Sequence, residues 1–198
     1  MIKIEEKFYI GQGSFQKCYV HPDNNNLCLK LRKNKHPNKF RIDQEIKYYK
    51  KIQKNTVLPF LAKYYGEETT NLGPASIHDL IKDETTNSVS LTIYDYLQME
   101  KSPFSDELFV SEIKKLKNKL IKHKVMVRDL TGKNICCKIL TDKSIELIII
   151  DGVGHRDFIP LVEWIPFFTK RKINRTYMKK KLYSMDEHRI WLASQNMY

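Results

Sequence analysis

Two aspartates and an asparagine carry the chemistry most legible in this sequence. Asp129 and Asn134 lie on a short polar stretch, Val127-Arg-Asp-Leu-Thr-Gly-Lys-Asn134, and Asp151 opens Asp-Gly-Val-Gly154. Two carboxylates and an amide are hard oxygen donors. Gathered beside glycines they suit a divalent cation, and a carboxylate among them suits proton removal from a hydroxyl. A second set lies near the start, where Gly11 and Gly13 fall in Gly11-Gln-Gly-Ser-Phe15. A glycine pair at a turn between strands lets backbone N–H groups approach phosphate oxygens closely. A strand rather than a helix follows it, which excludes a Rossmann turn. No Gly-Lys-Ser or Gly-Lys-Thr occurs, which excludes a Walker loop.

For Asp129 and Asp151 to meet, the chain between them must fold back. The apolar segments Ile135–Leu140 and Ile145–Ile150, joined by Thr141-Asp-Lys-Ser144, predict a β-hairpin that returns Asp151 to Asp129 and Asn134. Upstream, Ser105 caps a predicted helix with an acidic first turn (Asp106, Glu107) and a basic end (Lys119, Lys122, Lys124). Its apolar stripe is Phe109, Ile113, Leu116 and Leu120. Residues 7–31 read as strand, glycine loop, strand, turn (Pro22–Asn26), strand (Leu27–Leu31). A helix over Lys39–Gln53 carries Ile42, Ile46, Tyr49 and Ile52 on one stripe and places Glu45 on its buried side. A buried carboxylate is expensive without a cation, and Lys30, ending the strand Leu27-Cys-Leu-Lys30, is the obvious partner. Val57–Tyr65 and Val89–Leu97 suggest two further strands. The polar segment between them suggests a short helix at Ser76–Lys82.

At 198 residues the chain suits one domain or two small lobes, and 41% hydrophobic content is enough for a packed core. No run of about 18 apolar residues occurs, and the acidic start lacks the basic-then-apolar order of a signal peptide, which predicts a cytoplasmic protein without a transmembrane segment. The four cysteines show no Cys-x-x-Cys spacing and read as structural thiols; the six histidines form no ligand pair. A net charge of +12 predicts attraction to polyanions. The excess peaks over residues 170–181, where a solvated helix face is the plainer reading and contact with an anionic partner the alternative.

The order of these parts resembles a protein-kinase-like phosphotransferase: glycine turn, lysine strand, glutamate helix, hinge, long helix, Asp-x-x-x-x-Asn loop, hairpin and Asp-Gly. The triplet His155-Arg-Asp157 is a decoy, since Val162 rather than asparagine stands five residues after Asp157 and no hairpin follows. Val127-Arg-Asp129 is the working triplet. The whole chain resembles the YrbL family, kinase-like proteins of the PhoP regulatory network in Gram-negative bacteria. The resemblance rests on GQGSFQKCYVHP, RDLTGKN and the long run DGVGHRDFIPLVEWIPFFTKRKINR.

That resemblance implies an α+β chain with a minimal protein-kinase-like two-lobe fold. Residues 1–97 would form an antiparallel N-lobe sheet with one helix, and residues 98–198 a reduced, mostly helical C-lobe with basic C-terminal helices. It implies ATP and Mg²⁺ as cofactors. Gly11, Gly13, Ser14 and Phe15 would cover the phosphates, Lys30 held by Glu45 would grip them, and Tyr94 and Tyr96 would form a hinge lending backbone groups to adenine. Asn134 and Asp151 would hold the metal, Asp129 would accept the acceptor's proton, and Lys133 would neutralise the transferred phosphoryl group. Several positions depart from the pattern. Gln16 stands for the third glycine, Gly152 for the phenylalanine of Asp-Phe-Gly, Lys133 is four rather than two residues after Asp129, and no Ala-Pro-Glu follows.

Three functions are consistent with these features. The first is an ATP- and magnesium-dependent phosphotransferase acting on a hydroxyl of a small molecule, a lipid-linked sugar or a protein. The second is a nucleotide-binding pseudokinase with a regulatory or scaffolding role, favoured by the departures. The third is a basic polyanion-binding protein, resting on residues 170–181 alone.

Overall fold

A computed structural model describes residues 1–33, 39–54, 56–154 and 166–195. The triplet His155–Asp157, Val162 and the middle of the long family-like run lie outside the described residues. The chain is a mixed α+β protein that divides into two compact units, Met1–Lys82 and Asp83–Tyr198.

The first unit is built on five antiparallel strands: β1 (Tyr9–Gln12), β2 (Gln16–His21), β3 (Asn24–Arg32), β4 (Tyr64–Thr70) and β5 (Gly73–Asp79), in the order β1-β2-β3-β5-β4. A 3-10 turn, Glu6–Phe8, precedes β1 where the sequence suggests strand. Alternation sorts β3 and β5 by face. Leu29, Leu31, Ala75 and Ile77 join Tyr19, Ile2 and Ile4 in one buried cluster. Cys28 and Lys30 pair with His78 and Ser76 and point to the opposite side. Helix α1 (Lys39–Ile52) covers that side, with Tyr49 edge-on to His78 and tilted against Tyr64. Arg32 on β3 also pairs with Asp43 on α1 at 2.6 Å.

Two expectations are corrected here. The segment suggested as a short helix, Ser76–Lys82, is mostly β5, because Ala75 and Ile77 alternate with Ser76 and His78 and the strand is flanked by β3 and β4. A two-residue turn, Asn71-Leu72, joins it to β4, with Gly73 at φ +114°. The suggested strand Val57–Tyr65 is mostly a buried turn. Leu58, Phe60, Leu61 and Ala62 pack inward and Leu61 N–H donates to the Leu58 carbonyl; Leu61 holds an isolated bridge and the strand itself starts at Tyr64. Pro59 has no N–H to give a ladder.

The second unit contains helices α2 (Ile93–Gln98), α3 (Asp106–Lys122), α4 (Pro166–Lys179) and α5 (Met185–Gln195), with the hairpin β6 (Ile135–Ile139) and β7 (Ile145–Ile149). Helix α3 starts where the sequence places it: Ser105 Oγ accepts from Leu108 N–H, and Phe109, Ile113, Leu116 and Leu120 are all buried. Arg189 on α5 forks onto both carboxylate oxygens of Asp106 at 2.6 and 2.8 Å, tying α5 to the first turn of α3.

A third correction falls at the unit's start. Val89–Leu97 is not a strand: Val89 and Thr92 each hold an isolated bridge, the Leu91 carbonyl accepts from Cys137 N–H, and α2 begins at Ile93. Thr92 Oγ1 accepts from Asp95 N–H while the Asp95 carboxylate accepts from Thr92 N–H, a capping box. The apolar run had the composition of a strand, but the reciprocal cap satisfies the free N–H groups of a helical turn and wins. The segment from Asp83 onward thus packs with the hairpin and belongs to the second unit.

All four cysteines are free thiols. Burial pushes the Cys28 thiol up to about 12 and raises Cys137 further still, as inert structural thiols require. Among the described residues no helix is long and apolar enough to cross a membrane.

Candidate functional site

The hairpin does what its sequence requires. Ile135 pairs with Ile149, Ile150 N–H donates to the Asn134 carbonyl, and Val127 bridges Val153 beyond the strands. The Gly152 carbonyl accepts from both Arg128 N–H (2.7 Å) and Asp129 N–H (3.2 Å). Asp129, Asn134 and the Asp151-Gly152 step are therefore stitched into one piece of backbone.

Gly152 explains itself in this frame. Its φ is +77°, and a Cβ there would stand 3.0 Å from the Cβ and the carbonyl oxygen of Asp129 and 3.2 Å from Asn134 Nδ2. Glycine is needed for the close approach, which is a reason for the absence of an aromatic residue at this position.

Asn134 closes the 3-10 turn Gly132–Asn134 and donates from Nδ2 to the Asp129 carbonyl (2.9 Å) and to Asp129 Oδ2 (3.1 Å). This commits the amide nitrogen to the loop and leaves Oδ1 as the atom able to meet a cation. Asp151 is half-buried and accepts Gly152 N–H at Oδ1 (2.8 Å). Among the described residues no group of three or more His, Cys, Asp or Glu side chains could hold a metal. One carboxylate and one amide oxygen is nevertheless the kind of sparse set that suits Mg²⁺, which keeps several waters and takes phosphate oxygens as ligands.

Asp129 has a partner that spacing did not reveal. Lys180 Nζ lies 2.8 Å from Asp129 Oδ1, with the lysine side chain largely enclosed and the aspartate half-exposed. The ammonium sits 4.3 Å from the centre of the Trp191 ring, a cation–π contact. Trp191 stacks in turn on His188.

His188 is fully buried. Its Nε2 accepts from Gly132 N–H (3.1 Å), so the ring proton is on Nδ1, which donates to the Lys180 carbonyl (2.6 Å). Burial holds its pKa below the ordinary value; the hydrogen bond to the Lys180 carbonyl pulls the other way, and the nearby ammonium lowers it further. The imidazole is a neutral clamp between the loop and the end of α4.

Lys133, expected at the phosphoryl group, has its Nζ 4.7 Å from the centre of the Tyr94 ring. Tyr94 and Tyr96 are on α2 rather than on an extended hinge. Tyr96 N–H donates to the Thr92 carbonyl, its own carbonyl accepts from Met99 N–H, and its ring packs between Phe104 and Phe109. Helical hydrogen bonding thus engages both backbone groups of Tyr96.

In the first unit, Gly11 pairs with Cys18 at the end of β1, and the β1–β2 turn is held by Gly13 N–H on the Gln16 carbonyl. Lys33 Nζ donates to the Gly13 carbonyl, Ser14 is exposed, and Phe15 lies 5.4 Å under the Arg41 guanidinium. A Cβ at either glycine would meet nothing within 4 Å, and neither has a left-handed φ, so the fold itself does not call for glycine there. Lys30 is buried on the face covered by α1, and Glu45 is half-buried one helical turn before Tyr49, on the same stripe.

The sequence matches the family described as PhoP regulatory network protein YrbL over residues 2–182. The chain belongs to the YrbL family. Relatives named "Uncharacterized protein YrbL" in Escherichia coli (strain K12) and Shigella flexneri are each 24% identical over 184 residues, covering 90% of this chain and 86% of theirs. The YrbL match includes Asp129, Asn134, Asp151 and Lys180 and ends before His188 and Trp191.

Sequence reasoning missed Lys180, His188 and Trp191. Lys180 falls inside the basic run that reads as a wet helix face. No periodicity distinguishes it, because it stands past the end of α4 and is turned inward by the loop that follows.

Proposed function

We propose that this YrbL-family chain is an ATP- and magnesium-dependent phosphotransferase whose two units are the lobes of a minimal protein-kinase-like fold. The acceptor is a hydroxyl. Asp129 takes the hydroxyl proton, the acceptor oxygen forms a bond to the γ-phosphorus, and the bond from that phosphorus to the bridging oxygen breaks, leaving ADP with the electron pair. Asn134 Oδ1 and Asp151 would hold Mg²⁺, which when bound neutralises phosphate charge. The open glycine turn and Lys30, paired with Glu45, contact nucleotide phosphates.

The observation that carries this reading is the hydrogen-bonded unit of Asp129 and Asn134 locked to Asp151-Gly152, with a glycine whose φ and close neighbours disfavour any side chain. Half-exposure of Asp129 leaves room for an acceptor. Phosphate release from, or transfer out of, [γ-³²P]ATP with Mg²⁺ should exceed background in the wild type and drop to background in D129N and D151N. Equal rates in all three reject the enzyme.

A second reading, a nucleotide-binding pseudokinase, is favoured by the ion pair that Asp129 already makes with Lys180. ATP would then raise the melting temperature with no transfer in any variant. The polyanion reading is weakened by the same pair and by Lys181, which is engaged by Glu187 and Tyr183.

A further inference from the structure

We propose that Lys180 is the ammonium group of the transfer site: it fixes the Asp129 carboxylate and addresses the transferred phosphoryl group, the part that spacing assigns to Lys133. The proposal rests on the phosphotransferase reading and names a residue which that reading does not contain.

The argument starts from the donors. A lysine ammonium has three N–H groups and no acceptor, and one N–H directed at Asp129 Oδ1 leaves two for phosphate oxygens. Asp129 uses Oδ1 for Lys180 and Oδ2 for Asn134, so two of its roughly four lone-pair sites remain for the acceptor hydroxyl. The ammonium is therefore one hydrogen bond from the base, where the transferred group must come.

It is also held there. Exposed lysine pairs wander and are worth little. Lys180 is instead enclosed, backed by the Trp191 face, and its own carbonyl is gripped by His188, which on its other nitrogen grips Gly132 of the Asp129 loop. His188 is thus a positioning residue, joining the backbone that carries the ammonium to the backbone that carries the base. A fixed cation aimed at developing charge stabilises a transition state without reorganising.

The test compares K180M and K180R by steady-state transfer, melting temperature and ¹⁵Nζ lysine NMR with Mg²⁺ and a non-hydrolysable ATP analogue. K180M should lose about 100-fold in kcat with KM for ATP little changed, as loss of one charge-stabilising donor does. K180R should recover most of that loss at an unchanged melting temperature. The Lys180 ¹⁵Nζ signal should shift on adding the analogue.

Wild-type or higher turnover in K180M overturns the proposal, and would mark the ion pair as a lock. A K180R as slow and as destabilised as K180M overturns it too. If the wild type transfers no phosphate above D129N, the phosphotransferase reading fails by itself. The NMR arm still decides Lys180, because a signal unmoved by the analogue overturns its role at the phosphates.

Discussion

An alanine methyl at position 152 would lie 3.0 Å from the Cβ and carbonyl oxygen of Asp129, on backbone with φ of +77°. Strain and contact act together, so Gly152→Ala should cost about 2 kcal/mol in urea denaturation. Gly13→Ala meets nothing and needs no special φ, so it should leave stability unchanged or raise it by about 0.5 kcal/mol. His188 gives a second prediction at this scale. The unfolded chain protonates His188 near its ordinary value of about 6.5, whereas the folded chain does so only at lower pH because burial opposes the charge. In that window the unfolded state binds more protons, so stability falls as pH drops below about 6.5. Protonation would also set Nε2–H against Gly132 N–H. Urea midpoints at pH 7.5 and 5.5 should differ more in the wild type than in His188→Gln, which keeps a donor and an acceptor but does not titrate.

At the scale of elements, short α2 depends on its cap more than on its length. Six residues give few intrahelical bonds, and the reciprocal Thr92–Asp95 pair supplies two more at the start. Thr92→Ala should therefore cost about 1 kcal/mol in denaturation. Because Thr92 also bridges Cys136 through its backbone, the edge of β6 should loosen with it, seen as faster amide exchange around Leu91–Thr92. The hairpin itself should hold, since Ile135, Cys137, Leu147 and Ile149 are buried and its two strands pair from Ile135–Ile149 to Ile139–Ile145.

For the molecule as a whole, the net charge of +12 sets long-range behaviour and the local pairing sets which cations contribute. Lys181 is spent on Tyr183 and Glu187, which raise its pKa, while Lys170, Arg171 and Lys179 are exposed. Retention on an immobilised polyanion should fall steeply with salt, and Arg171→Ala or Lys179→Ala should weaken it more than Lys181→Ala. Equal effects would mean that total charge alone matters.

Much of both units was legible beforehand because its signals are local. The stripe on α3 and the Ser105 cap, the Ile135–Ile150 hairpin, and the turn that ends β2 each depend on neighbours within a few residues. The hairpin brings Asp151 back to Asn134, and the Val127–Val153 bridge beyond it sets Asp129 alongside. Where the reading failed, long-range pairing decided. β5 is a strand because β3 and β4 flank it, and the Leu58–Ala62 run, broken at Pro59, makes a turn and a single bridge rather than a strand. One local signal, the Thr92-x-x-Asp95 cap, was present and overlooked.

The amino-acid sequence alone determined the oxygen donors, the hairpin that gathers them and the family, since these follow from residue type, short-range periodicity and motif. Only the tertiary structure decided which cation meets Asp129. Lys180, His188 and Trp191 reach the loop by packing of the chain's last helices, and contacts between segments so far apart leave no periodicity to read.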